Sequence, residues 1–282
     1  MAELIYGRHF GLREAPFGIT PDASFAYDCK AHQEAFNVLM VALRTGEGFI
    51  KVTGEVGTGK TMLCRRVLAA LGDEYVVCYL PNPLLEPRGL LVALGRELGL
   101  QVSAREDPHQ LLATLNGALV RLMQRGMRAV VLIDEAQAMP LATLETLRLL
   151  SNLETDKSKL LQVVLVGQPE LDRNLENPLV RQLRQRIGFH YVIDRLARRE
   201  LGQYIRHRLQ VAGCARPPVF SAAALWFLYR ASRGVPRLVN ILVHKALLLT
   251  YARGEGRVGI RQVMMAARDT SSASRILIPW LV

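Results

Sequence analysis

Half of the 282 residues are apolar, yet no run of eighteen or more is free of charge, so a membrane-spanning helix is excluded as an organising element. The net charge of +11 is unevenly held: residues 1–180 carry 18 Lys and Arg against 21 Asp and Glu, whereas residues 181–275 carry 18 against 4, a balance of +14. Met1 to Arg8 shows no basic segment leading into an apolar core, and Cys29, Cys64, Cys78 and Cys214 lie scattered without metal-ligand spacing, so the expectation is a reduced, cytoplasmic protein rather than a secreted one.

Residues 1–30 hold Phe10-Gly11-Leu12, Pro16-Phe17, Pro21-Asp22 and Phe25-Ala26-Tyr27, which predict an irregular arm packed on the core. Residues 31–46 place Ala35, Leu39 and Leu43 at helical spacing. Gly48-Phe49-Ile50-Lys51-Val52-Thr53 reads as a buried strand, and Met62 to Leu71 as a helix. Between them stands Gly54-Glu55-Val56-Gly57-Thr58-Gly59-Lys60-Thr61, a complete G-x-x-x-x-G-K-[ST] phosphate-binding loop in the strand–loop–helix setting that its chemistry requires. Its glycines let backbone N–H groups converge on phosphate oxygens, and the following helix adds its positive end. Lys60 then reaches the β- and γ-phosphates of ATP, the Thr61 hydroxyl binds Mg²⁺, and Met62 completes the cradle.

Glu74 to Leu80 is a second strand, closed by Pro81 and Pro83, and Gly89–Leu98 and Pro108–Arg125 are helices. Arg128-Ala129-Val130-Val131-Leu132-Ile133-Asp134-Glu135-Ala136 is an apolar run ending in two carboxylates, as in a strand covered on both faces. The C-terminal ends of parallel strands are where ligands sit. There Asp134 orders the Mg²⁺ shell, and Glu135 acts on the attacking water as general base or water-positioner. A helix over Leu141–Glu154 and a strand over Leu160–Val166 follow, ending at Gly167-Gln168-Pro169. Gln168 is thereby expected beside the γ-phosphate and the water. Arg181, Arg184 and Arg186 precede a last strand, Ile187–Ile193, and are candidates for an arginine supplied to a neighbouring subunit.

Beyond residue 195 every segment reads as helix: 197–212, 221–232, 236–253 and 259–268. The predicted architecture is therefore an α/β three-layer P-loop NTPase core with a parallel sheet (31–195), an all-helical lid (196–270) and an apolar tail (271–282). Gly234-Val235-Pro236-Arg237 marks a sharp helix start and sets Arg237 at a fixed place, suited to touching the γ-phosphate in cis. The tail Ile276–Val282 is too short to cross a bilayer and is free to pack on the lid, a partner or a membrane surface. The basic excess of the last third suits nucleic acid, anionic lipid or an acidic protein. The six histidines show no ligand spacing.

The ordered set of phosphate loop, acidic strand end, polar Gln168, arginine cluster and Gly-x-Pro-Arg resembles the AAA+ ATPases across residues 31–268. A closer resemblance is to the ExeA/GspA-type ATPases of type II secretion and the MshM-type ATPases of mannose-sensitive haemagglutinin pilus biogenesis. It rests on Phe10-Gly11-Leu12-Arg13-Glu14-Ala15-Pro16-Phe17, His32-Gln33-Glu34-Ala35, Gly46-Glu47-Gly48-Phe49-Ile50, Asp134-Glu135-Ala136-Gln137, Gly167-Gln168-Pro169-Glu170-Leu171 and Ser232 to Ile241. The resemblance implies a five-strand parallel core with an AAA+ lid, ATP and Mg²⁺ as cofactors, a homo-oligomeric ring or filament, and partners in a pilus or secretion machine at the inner membrane. ExeA-type proteins continue into a membrane span and a peptidoglycan-binding domain. Neither is present in this sequence through Val282, which points to the MshM-like branch. By likeness to the Leu-Arg-x-Arg of branch-migration ATPases, Arg186 is the implied finger, with Arg184 next. The competing expectation is a DNA-binding switch ATPase similar to transposition regulators.

Overall fold

The computed structural model describes residues 4–18, 22–151, 154–155, 158–215 and 219–274. The apolar tail anticipated over Ile276–Val282 lies outside the described residues. α1 (Gly7–Phe10) is one turn, closed by Gly11 at φ 65°. α2 (Lys30–Thr45) buries Ala35, Leu39 and Leu43 along one face. β1 (Phe49–Gly54) enters the phosphate loop and α3 (Lys60–Ala70) leaves it. β2 (Tyr75–Leu80) precedes α4 (Pro87–Glu97) and α5 (Pro108–Gln124), both opened by a proline whose missing N–H costs nothing at a helix start. The Asp107 carboxylate also caps α5, accepting from the His109 N–H at 2.8 Å. β3 (Arg128–Ile133) and α6 (Leu141–Leu150) follow, then a small antiparallel pair, β4 (Glu154–Thr155) and β5 (Ser158–Lys159). β6 (Leu161–Gly167) leads to the short helices α7 (Glu170–Leu175) and α8 (Arg181–Arg186), and β7 (Ile187–Ile193) completes the strands. The remaining elements are α9 (Arg198–Val211), α10 (Ala222–Ser232), α11 (Pro236–Ala252) and α12 (Ile260–Arg268).

The chain divides into two compact units. The first, within 32–55 and 63–193, is built on a five-stranded sheet in the order β2-β3-β6-β1-β7, all pairs parallel. Its strands alternate buried side chains between two faces. Ala129, Val131 and Ile133 of β3, with Val163 and Leu165 of β6, pack against α4, α5 and α6. Val130 and Leu132, with Val164 and Val166, pack against α2 and α3. This is the three-layer P-loop NTPase arrangement expected from the near-continuous apolar runs. The sheet order is what matters for the site, because β1 and β3 both pair with β6 and so end at one edge of the sheet.

The second unit gathers the described residues within 1–31, 56–62 and 194–282. Among them α9 to α12 supply one hydrophobic cluster, and the arm's Tyr6, Phe10, Leu12, Phe17 and Phe25 belong to it. Here the structure corrects the sequence reading, which assigned the arm to the α/β core. The arm's apolar pattern called for burial, but the partner is the helical cluster, whose members include Leu201, Leu209, Val243 and Leu247. Polar contacts fix it in place. Arg208 of α9, 9% exposed, donates from Nε to Pro16 O at 2.6 Å and from Nη1 to Phe25 O at 3.4 Å, and its guanidinium lies over the Phe25 ring at 5.0 Å. Tyr204 donates to Asn240 Oδ1 at 2.7 Å, and Asn240 Nδ2 donates to Gly18 O at 3.4 Å.

Arg208→Ala removes charge-assisted donors from two buried carbonyls and a stacked cation, at a cost of about 2–4 kcal/mol. We expect trypsin to cut the arm of the variant readily under conditions where the parent is protected. Equal protection would show that apolar packing alone holds the arm. Among the described residues no helix is long and apolar enough to cross a membrane.

Candidate functional site

The phosphate loop takes the backbone form its glycines permit. Gly57 has φ 81° and Gly59 φ 94°, a left-handed region that side chains rarely enter. α3 begins at Lys60, two residues earlier than the sequence reading placed it, so the N–H groups that a first helical turn leaves without intrahelical partners belong to the motif itself. Thr58 and Lys60 are buried, at 1% and 5% exposure. Left-handed glycines followed directly by a helix start form the concave, N–H-lined surface that fits a polyphosphate.

Gly57 is needed a second time within the same unit. A Cβ on it would come within 2.6 Å of Arg237 Cβ, and its carbonyl accepts from the Arg237 N–H at 3.3 Å. Arg237 sits in the first turn of α11, which Pro236 opens. The preceding turn is equally constrained. Gly234 has φ 75°, and a Cβ there would meet Leu196 O at 2.3 Å. The sequence signal for a sharp helix start at Gly234–Arg237 thus corresponds to a tight backbone crossing, and Arg237 stands beside the loop with its side chain exposed.

In the sheet-bearing unit, the residues after β3 and β6 meet at the same edge. Asp134 is 2% exposed and accepts the Glu135 N–H on Oδ1 at 2.9 Å. Glu135 adopts φ 52°, an unusual conformation for a side chain of its size. Such strain occurs where the surroundings impose it, and functional sites are a common setting. Its Oε2 accepts from Gln168 Nε2 at 2.9 Å and from Gln137 Nε2 at 2.6 Å. The structure therefore brings Gln168 to Glu135, two residues 33 positions apart that the sequence reading linked only through the sheet rule. Gln137, which that reading gave no role, is the third member. Its one sequence signal was its place directly after Asp134-Glu135-Ala136.

Arg181, Arg184 and Arg186 lie on α8 and are exposed. Arg186 donates from Nη1 to Ser151 Oγ at 2.8 Å.

Residues 43–175 match the family described as AAA domain. Over 267 residues the chain is 43% identical to the general secretion pathway protein A of Aeromonas hydrophila, a match that covers 95% of this chain and 49% of that protein. The chain thus spans about half the length of this curated relative. Among solved structures, the Aeropyrum pernix ORC2 protein in its ADPNP-ADP complexes aligns at TM-score 0.62 and 19% identity, covering 91% of this chain and 73% of that one. Cdc6p from Pyrobaculum aerophilum aligns at TM-score 0.65 and 17% identity, covering 89% and 71%. The Thermotoga maritima RuvB Holliday junction branch migration motor aligns at 0.57 and 19%, covering 91% and 73%. At such identities these structures establish the fold alone. Residues 43–175 are thus similar to the AAA domain family, and the chain is similar to general secretion pathway protein A.

Proposed function

We propose that this chain is an ATP-hydrolysing AAA protein of a bacterial envelope machine, of the type II secretion or mannose-sensitive haemagglutinin pilus kind. The observation that carries the reading is the 43% identity to general secretion pathway protein A over 95% of the chain, with every catalytic motif inside the matched span. The buried Thr58 and Lys60 of the phosphate loop and the Glu135–Gln168 hydrogen bond support the chemistry.

In this reading the backbone of Gly54, Glu55, Val56, Gly57, Thr58 and Gly59 cradles the phosphates, with Lys60 on the β- and γ-phosphates and Met62 closing the cradle. Thr61 and Asp134 would hold Mg²⁺, which would supply positive charge to the phosphates. Glu135 takes the proton of the attacking water, and Gln168 orients that water. Arg237 senses the γ-phosphate in cis. Arg186, or Arg184 in its place, stabilises the equatorial oxygens at a neighbouring subunit's site, which requires a ring or filament of copies. The protein then acts at the cytoplasmic face of the inner membrane, on proteins of the export or pilus machine. The three candidates on α8 are solvent-exposed, and Arg186 also donates to Ser151 Oγ of its own chain.

The test is phosphate release by the purified protein across a range of protein concentrations, with and without duplex DNA at two salt concentrations. The expected result is Mg²⁺-dependent turnover that rises per subunit as copies assemble and is indifferent to DNA. Turnover that needs DNA, with binding that weakens steeply with salt, would replace the export reading with a DNA-switch reading. Absence of turnover at every concentration would refute the enzyme.

A further inference from the structure

We propose that Gln137 is a positioning residue for hydrolysis, setting the carboxylate of Glu135 and the side chain of Gln168 in one fixed relation. The proposal rests on the ATPase reading above and deepens it.

Both ends of the Gln137 amide are committed. Its Oε1 accepts the backbone N–H of Gln168 at 2.9 Å, and its Nε2 donates to Glu135 Oε2 at 2.6 Å. The first contact decides the second. A backbone N–H only donates, so the carbonyl end of the amide must face Gln168, and the NH₂ end is left for the carboxylate. The Gln168 side chain then donates to the same Glu135 oxygen at 2.9 Å. Three residues from the ends of two neighbouring strands form a closed ring of hydrogen bonds: Gln137 to Glu135, Glu135 to Gln168, Gln168 back to Gln137. Two donors on one oxygen set the plane of the carboxylate.

The surrounding backbone is cut to admit this side chain. A Cβ on Gly167, the last residue of β6, would lie 2.9 Å from Gln137 Oε1 and 3.3 Å from Gln137 N. The main chain of Gln137 is held separately: Asn174 Nδ2 of α7 donates to its carbonyl at 2.9 Å. Because that contact does not involve the Gln137 side chain, exchanging the amide for an apolar group of similar size leaves the turn anchored while it breaks the ring. This separates a positioning role from a purely structural one.

The experiment compares the parent with Gln137→Leu, Gly167→Ala, Glu135→Gln and the double variant Glu135→Gln/Gln137→Leu, reading kcat, KM, nucleotide affinity and single-turnover hydrolysis. Gln137→Leu is expected to lower kcat by about 10- to 100-fold, the scale of a misplaced catalytic group. KM and nucleotide affinity should stay within about twofold, the split that marks an interaction made in the transition state. Gly167→Ala should lower kcat in the same sense from outside the ring by displacing the Gln137 amide. In the Glu135→Gln background, Gln137→Leu should cost nothing further, because residues acting as a unit are not additive.

Turnover of Gln137→Leu at the parent rate, beside an inactive Glu135→Gln, would overturn this role and leave the ATPase reading standing. So would a full additional loss in the double variant, or a loss of nucleotide affinity matching the loss of kcat. Glu135→Gln turning over at the parent rate would instead remove the site assignment itself.

Discussion

Lys60→Ala is expected to lose nucleotide binding at concentrations where the parent is saturated. Under the proposed assignment, the Lys60 ammonium is a strong direct charge on the triphosphate, and at only 5% exposure it is little screened by water. Truncating one partner of a desolvated charge pair costs about 2–5 kcal/mol, on the order of 30- to 4,000-fold in affinity. The loop glycines and the helix start remain, so weak binding by backbone N–H groups alone is the floor of the effect. Titration with a fluorescent ATP analogue reads the change, and far-ultraviolet circular dichroism confirms that α3 still forms. A variant that binds and hydrolyses ATP like the parent would remove the phosphate loop from the site.

Glu135→Gln is expected to bind ATP as the parent does and to stall afterwards. The substitution keeps size and shape and leaves an oxygen that still accepts from a neighbouring amide, so the hydrogen-bonded ring with Gln168 and Gln137 survives in part. What is lost is the base. General base catalysis contributes about 10²- to 10⁴-fold, and single-turnover hydrolysis should slow by that order. Because bound ATP persists, the variant should also accumulate as the assembled form, a larger species by size-exclusion chromatography in ATP than in ADP. Hydrolysis at an undiminished rate would reassign Glu135 to a structural role at its left-handed turn.

The two expectations differ in kind. The first removes binding shared by ground and transition states, and the second removes an interaction made only as the water attacks. Measured together, they separate the loop's contribution from that of the carboxylate. The Gln137 variants then resolve how the carboxylate is held.

Much of this was legible in the sequence because the signals are local. The strand–loop–helix at 49–70 is written by glycines and a buried strand, and the helices of the last third by periodic apolar residues. The short helices α7 and α8 were not legible: six residues do not complete two turns, so periodicity has nothing to repeat. The arm shows a different limit. Tyr6, Phe10 and Phe17 declare that they will be buried, but hydrophobic burial is non-directional, and the sequence names no partner. Only the packed helices decided between the two units.

The sequence by itself determined the phosphate-binding motif, the acidic pair, the P-loop core and the helical end of the chain, since each is set by residues adjacent along the chain. Tertiary structure alone decided that Glu135, Gln168 and Gln137 form one hydrogen-bonded ring, and that Gly57 must be bare for Arg237 to approach. The physical reason is that strand order is a property of the sheet. β3 and β6 are neighbours through parallel pairing between segments some thirty residues apart, and no local pattern in either strand specifies the other.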